Sequence, residues 1–172
     1  MSTLVSNPYP GAKAIKQHHR NGCWAACLEW YSRCVLGCTG YTQDGIRKDK
    51  GVKAMYKSNS VTGAKYSTGN AAYGTLETEE LRALFESSPW CLATENVQNF
   101  NSVVLQNRLK YGPVFVGYYD LSGNTWHVNV VVNYDADLDM VLAMEPKSGK
   151  YMDKAMADLT VSSPFNILAW RF

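Results

Sequence analysis

The chain has 172 residues, of which 46% are hydrophobic and 19% are charged, and its formal net charge is only +2. This composition excludes a disordered or fibrous protein, and so small a charge gives no indication of nucleic-acid binding. No stretch reaches the roughly 18 uninterrupted apolar residues of a membrane span, so we expect no membrane partner. A chain of this length has room for one domain with a sizeable core, and we predict a single domain over residues 1–172.

The N-terminal residues 1–16 lack the apolar segment of a Sec signal peptide. We therefore expect a protein that works in the cytoplasm, leaves the cell without a cleaved signal, or is a domain of a larger chain. Residues 7–11 include two prolines, which disfavour helix and predict an extended lead-in over the domain surface.

The first predicted helix covers residues 23–36 and begins at a cysteine. Its apolar residues recur at helical spacing, and Gly37 is a suitable left-handed C-cap. The start of a helix offers unpaired N–H groups and the positive end of the dipole, which favour a thiolate over a thiol. Cys23 is therefore the candidate nucleophile, and the adjacent Gly22 is a candidate substrate contact.

The chain has five cysteines, an odd number that argues against a complete disulfide framework. Four of them fall in one short segment, at Cys23, Cys27, Cys34 and Cys38. Zinc sites usually show Cys-x-x-Cys knuckles, and acidic or histidine partners are not clustered with these cysteines. We therefore expect neither a metal nor another cofactor, and predict that Cys27 and Cys34 are packing residues.

The middle of the chain predicts three further helices and a long loop. Residues 44–55 suit a short helix, and residues 58–74 form a polar, glycine-containing segment that is either a lid or specificity loop or a tolerated surface insertion. Residues 78–87 have the acidic first turn of a helix, and residues 102–111 form an amphipathic helix that stops at Gly112.

After residue 112 the periodicity changes from helical to extended. Four segments rich in β-branched and aromatic residues predict strands, at 113–119, 126–134, 140–145 and 165–172. The short turns between the first three, and another at 147–149, indicate antiparallel pairing. Helices first and strands last predict an α+β fold, with a helical layer over about 17–111 packed on a sheet over about 112–172.

Catalysis by a thiol needs a base for the cysteine proton and a third group that orients the base. Of the three histidines, only His127 lies on a predicted strand in the second half, where folding can bring it to the helix start. His18 and His19 are four and five residues ahead of Cys23 on the same loop. We predict His127 as the base and expect the other two to be surface residues or minor contributors to the cleft.

The chain resembles the papain-like cysteine peptidases in three ordered features: Gln17 six residues before a Cys-Trp-Ala sequence, a histidine that opens an apolar strand, and Glu145 followed by proline. Gly112-Pro113 before a strand adds to the likeness. It is most similar to the compact bacterial branch, which includes double-glycine leader peptidases, staphopains and the avirulence proteases that plant pathogens inject into host cells. The resemblance implies a two-lobed fold with its site in the cleft.

The resemblance also implies the remaining catalytic residues. Glu145 matches the residue that orients the histidine, although papain has Asn there and its bacterial relatives usually have Asp. The extra methylene of Glu requires its strand to lie slightly farther from the imidazole. Two rivals remain, Asn129 on the same strand face as His127 and Asp135 at the hairpin turn. The side chain of Gln17 can share an oxyanion hole with the backbone N–H at the nucleophile.

The predicted function is a cysteine endopeptidase, a bacterial effector or toxin with narrow protein specificity, secreted or injected into a target cell. Its partners would be a protein or peptide substrate and a cognate inhibitor or immunity protein. Candidate substrate contacts are Trp126, Tyr118, Tyr119 and the loop 66–73, and bulky aromatics there favour small residues, often Gly, beside the cleaved bond. Two alternatives stay open: the same triad used by an amidase, transglutaminase or acyltransferase, and a non-catalytic binding module.

Overall fold

The computed structural model describes residues 4–19, 21–49, 78–120, 125–160 and 165–172. Its helices are α1 (Cys23–Cys34), α2 (Gln43–Lys48), α3 (Thr78–Glu86) and α4 (Ser102–Leu109). Its strands are β1 (Ala93–Val97), β2 (Val114–Asp120), β3 (Thr125–Asp135), β4 (Met140–Glu145), β5 (Lys150–Ala155) and β6 (Asn166–Trp170), with a 3₁₀ helix at Met156–Leu159 between β5 and β6. The predicted α+β class is confirmed.

The helices agree with the sequence patterns at their starts better than at their ends. Helix α1 begins at Cys23 as predicted but stops two residues early, and Gly37 takes the predicted left-handed conformation with φ of +67°. Helix α2 is shorter than the predicted 44–55, because Asp49 leaves the helical region with ψ of 138°. The predicted long loop at 58–74 lies outside the described residues.

The strands form one antiparallel sheet in the order β1-β6-β2-β3-β4-β5. The two strands that the sequence did not predict, β1 and β5, are its two edges. Their sequences, ATENV and KYMDKA, are polar and only partly buried, which is typical of edge strands and hides the apolar alternation. Because β1 lies inside the range predicted as helical, the proposed division of the chain at residues 111 and 112 was wrong.

Both faces of the sheet are covered, so a single helical layer was an incomplete prediction. Successive residues of a strand point to opposite faces. On one face, α1 and α3 pack over strand residues such as Phe115 and Val130. On the other, Leu105 of α4 and Leu159 of the 3₁₀ helix pack with Val116 and others. In the described part of the chain, no helix has the length and apolar character to cross a membrane.

Candidate active site

Cys23 is the first residue of α1 and its side chain is nearly buried, with 6% of the residue exposed. Gly22, the N-cap, has no side chain that could bond the helix start. The next turn of α1 is attached to β3, since the thiol of Cys27 donates to the carbonyl of Val128 at 3.4 Å. This contact holds the start of α1 beside the strand segment that contains His127.

His127 lies on β3 with 2% of the residue exposed. Its Nε2 is 2.8 Å from Oε1 of Glu145, which leaves Nδ1 as the ring nitrogen available to the thiol of Cys23. Burial alone would lower the pKa of His127, but its hydrogen bonds to Cys23 and Glu145 outweigh burial and raise that pKa to about 9. At neutral pH this imidazole is therefore protonated, in contact with both a sulfur and a carboxylate.

Glu145 ends β4, and each of its oxygens accepts two hydrogen bonds. Oε1 accepts from His127 and from the backbone N–H of Lys147 at 2.9 Å. Oε2 accepts from the ammonium of Lys154 at 2.7 Å and from the amide of Asn129 at 3.1 Å. Burial would raise the pKa of this carboxyl, but the imidazolium and the ammonium hold it well below its usual range. The carboxylate stays ionised and has a single orientation.

Of the three candidates for the group that orients His127, only Glu145 accepts from its ring. The amide nitrogen of Asn129 is 3.3 Å from Nε2 of His127, but both atoms carry hydrogens, so Asn129 acts on Glu145 instead. Asp135 lies at the far end of β3, where Oδ1 accepts from the N–H groups of Asp137 and Leu138. Glu145 is therefore the candidate whose carboxylate contacts the ring of His127.

Tyr118 does not face the cleft as the sequence analysis expected. Its ring is buried, 5% exposed, and its hydroxyl donates to Oδ1 of Asn129 at 2.8 Å and accepts from Lys154 at 3.0 Å. Alternation along β2 sends Tyr118 to one face and Tyr119 to the other. This corrects the prediction that both residues line the substrate groove.

The other predicted substrate contacts lie next to the site. Gly22 precedes Cys23 and is buried. Trp126, beside His127, is partly exposed, and its ring lies 6.0 Å from that of Tyr119 and 5.2 Å from that of Phe165. These three rings, Trp126, Tyr119 and Phe165, form an aromatic cluster that includes the residue before His127. The predicted contact at 66–73 lies outside the described residues.

Gln17 contacts both the segment after Glu145 and the loop before Cys23. Its backbone N–H donates to the carbonyl of Pro146 at 2.8 Å, one residue beyond Glu145. Its side-chain amide donates to the carbonyl of His19 at 2.8 Å, and the N–H of Gly22 donates to that same carbonyl at 3.0 Å. The amide of Gln17 and the residue before Cys23 therefore share one acceptor.

Gln43, which no sequence pattern indicated, holds the Gln17 loop in place. Its buried side chain accepts from the N–H of His18 at 3.0 Å and donates to the carbonyl of Lys16 at 3.0 Å, on either side of Gln17. Its own N–H donates to the buried carboxylate of Glu29 on α1 at 2.9 Å. No local motif marks Gln43, because these partners are distant in sequence.

Two histidines and the remaining cysteines lie outside this arrangement. His18 and His19 each approach a carboxylate oxygen of Asp44 at 3.6 Å, and the side chain of His18 is 54% exposed. Cys27 is buried as predicted and Cys34 is half-buried. Over the described ranges, no three His, Cys, Asp or Glu residues are grouped so that they could hold a metal ion.

Comparisons with known proteins agree with this geometry. The family described as "Papain-like cysteine protease AvrRpt2" matches residues 10–163. Among solved structures, the peptidase domain of Streptococcus ComA, a bifunctional ABC transporter involved in a quorum-sensing pathway, aligns with a TM-score of 0.52 at 13% identity, over 94% of this chain and 99% of that domain. A search of curated proteins found no matching relative. At that identity the structural likeness shows the fold alone, whereas the family match spans most of the chain. The chain therefore belongs to the papain-like cysteine protease family of AvrRpt2 and is a hydrolase of peptide bonds.

Proposed function

We propose that this protein is an endopeptidase in which Cys23 is the nucleophile, His127 the acid and base, and Glu145 the residue that orients His127. The observation that supports this most directly is the contact of the buried imidazolium with Cys23 and with Oε1 of Glu145. Such an ion pair gives a thiolate that attacks without first losing a proton to solvent.

In the proposed reaction, Sγ of Cys23 forms a bond to the carbonyl carbon of the substrate, and the carbonyl oxygen takes the electron pair. When the tetrahedral species collapses, its C–N bond breaks and the imidazolium of His127 gives its proton to the leaving nitrogen. Water then attacks the thioester while neutral His127 accepts its proton. Collapse returns the acid product and the thiolate.

Gln17 is the proposed side-chain member of the oxyanion hole, with the backbone N–H of Cys23 as the other donor. An amide nitrogen has two hydrogens, and one of them is used by the carbonyl of His19. That bond fixes the plane of the amide before substrate arrives. Preorganised donors of this kind contribute more than mobile ones, because they need no rearrangement as the charge develops.

The aromatic cluster of Trp126, Tyr119 and Phe165 is the proposed specificity surface. Its central residue, Trp126, precedes His127 on β3, and the rings of Tyr119 and Phe165 lie 6.0 and 5.2 Å from the Trp126 ring. Bulky rings of this kind narrow a groove that they line. We expect it to favour residues with little side chain, Gly above all, beside the cleaved bond.

We further propose that the protein acts as a bacterial effector or toxin with few protein substrates, delivered to a target cell and restrained by a cognate inhibitor. The match to the AvrRpt2 family supports this proposal. Comparing the proteomes of target cells that express the native protein or Cys23→Ala tests it, since new protein termini should depend on Cys23.

The chemical proposal is tested with purified protein and a peptide library analysed by mass spectrometry. We expect cleavage by the native protein and none by Cys23→Ala or His127→Ala. Adding a primary amine should leave the acid product in excess. If amide product formed instead whenever amine was present, the enzyme would be an acyltransferase that uses the same residues.

A further inference from the structure

Lys154 is more buried than is usual for a lysine on an edge strand. Its side chain is only 15% exposed, and its ammonium contacts Oε2 of Glu145 at 2.7 Å and the hydroxyl of Tyr118 at 3.0 Å. Withdrawing an ammonium from water is costly unless it is paired and hydrogen-bonded. The ammonium of Lys154 is both paired and hydrogen-bonded here. Its carboxylate partner is Glu145, the residue proposed to orient His127.

These contacts close a ring of four side chains behind the histidine. Lys154 donates to Glu145 and to Tyr118, Tyr118 donates to Asn129, and Asn129 donates to Glu145. Burial raises the pKa of Tyr118, and the nearby carboxylate of Glu145 raises it further, so the phenol remains a neutral donor. The ring thus has an ammonium donor at one corner and the carboxylate at the next.

We propose that Lys154 is a positioning residue for the protease reaction, which keeps one oxygen of Glu145 occupied so that the other stays on Nε2 of His127. This inference rests on the roles proposed above for Cys23, His127 and Glu145.

The need for such a residue follows from the length of Glu. Compared with Asp or Asn, Glu has one more rotatable bond, and ordering its side chain costs more conformational entropy. The hydrogen bonds from Lys154 and Asn129 to Oε2 restrict rotation about this extra bond of Glu145. Lys154 therefore restricts a side chain that is longer and more flexible than that of Asp or Asn.

Lys154 also sets the charge around the histidine. The charges alternate from the imidazolium of His127 through the carboxylate of Glu145 to the ammonium of Lys154. An ammonium beyond the carboxylate disfavours a second cation nearby, and this opposes further stabilisation of the imidazolium. His127 must release its proton to the leaving nitrogen, so a limit on its basicity favours that step.

The titratable groups around this network come from four elements, and they are Cys23 and Cys27 of α1, Tyr118 and Asp120 of β2, Lys154 of β5, and Asp158 of the 3₁₀ helix. Asp120 is itself paired with the exposed ammonium of Lys147 at 2.6 Å. Among these groups, Lys154 is the cation in direct contact with Glu145.

The test compares Lys154→Met, Lys154→Arg and Lys150→Met, with kcat and KM measured across pH on one cleavable peptide. Lys154→Met should lower kcat by roughly 10- to 100-fold with little change in KM. Removing a residue that hydrogen-bonds a metal ligand typically has an effect of this size. Loss of the cation should also move the alkaline limb of kcat to higher pH, because the imidazolium is then more stable. Lys154→Arg should restore most of both. Lys150 lies on the same strand but is exposed, so Lys150→Met should match the native protein.

Each other outcome has a defined meaning. A native kcat with an unshifted alkaline limb in Lys154→Met would overturn the inference. A loss of kcat in Lys154→Met would also overturn it if the alkaline limb did not shift and Lys154→Arg did not restore kcat. If circular dichroism showed Lys154→Met to be unfolded, Lys154→Gln would take its place with the same readouts. Activity that survived in Cys23→Ala would instead overturn the proposed function, which separates the two failures.

Discussion

The backbone N–H of Gln17 donates to the carbonyl of Pro146 at 2.8 Å, which joins the proposed oxyanion residue to the residue that follows Glu145. The two positions are distant in the chain, yet this hydrogen bond ties the loop of Gln17 to the segment that follows Glu145. Displacing the Gln17 loop would therefore disturb both.

The native protein should show one highly reactive thiol, Cys23. Alkylation with iodoacetamide at about pH 5.5, where ordinary thiols are protonated, should label Cys23 first because the imidazolium of His127 favours its thiolate. Burial raises the pKa of both Cys27 and Cys34, which makes them poorer nucleophiles still. Peptide mapping identifies the labelled site. Equal labelling of Cys23 and the exposed Cys38 and Cys91 at this pH would contradict the ion pair.

Glu145→Gln should fold and lose roughly 100-fold or more in kcat, though less than Cys23→Ala, since orientation is a smaller contribution than the nucleophile. Both oxygens of Glu145 accept from donors, so the new NH₂ group must face either His127 and the N–H of Lys147 or the ammonium of Lys154. No orientation of the amide satisfies both sides.

Asp135→Asn is the matched control, because Asp135 bonds only its own turn in the contacts described above. Steady-state kinetics on a single peptide would show the contrast. Full activity in Glu145→Gln would remove Glu145 from the mechanism.

Activity should fall as pH rises through about 9, because His127 then loses the proton that it must donate. The same shift acts on stability. The folded pKa is raised from the 6.5 of an ordinary histidine, so its contribution is fully present below about pH 6.5 and is lost as pH rises through about 9.

The measurement is chemical denaturation at several pH values for the native protein and His127→Gln. The difference in their free energies of unfolding should shrink across that interval. A difference that stayed constant from pH 6.5 to pH 9 would show that the histidine gains nothing from its partners.

Gln43→Ala should impair catalysis without touching a catalytic group. It leaves the N–H of His18 and the carbonyl of Lys16 without their partner, which costs about 1–3 kcal/mol of stability for each group that stays buried. The freed loop lets Gln17 move, so kcat should fall more than KM changes. Gln106, exposed on α4, supplies the control Gln106→Ala. Thermal melts together with kinetics on both variants test this, and equal kcat values would exclude the effect.

Trp126→Ala should widen the specificity of cleavage. Removing the indole breaks up the aromatic cluster with Tyr119 and Phe165, and the peptide library should then include larger residues beside the cleaved bond. Tyr111→Ala, at an exposed aromatic outside the cluster, should leave the cleavage profile unchanged. An unaltered profile in Trp126→Ala would place the specificity determinants elsewhere.

The candidate nucleophile, histidine and acid could all be selected from the sequence, because each has a local signal. Cys23 begins a helical periodicity, His127 opens an apolar strand, and Glu145 stands before a proline that ends the next strand. These signals depend on a few neighbouring residues and survive without knowledge of the fold. The order of the motifs then gave the resemblance that the family match confirms.

Only the tertiary structure showed which polar residues support Cys23, His127 and Glu145. Lys154 and Tyr118 are 36 residues apart, and Gln43 and His18 are 25 apart, so no short pattern links them. β1 and β5 were missed because edge strands keep polar side chains and lack the alternation that marks buried ones. Tyr118 was assigned to the substrate groove because a sequence does not show which of two adjacent β2 residues is buried in the sheet's own contacts. Burial and pairing between distant residues depend on how the whole sheet packs. Local patterns therefore indicated the candidate reacting groups but not the residues that hold them in place.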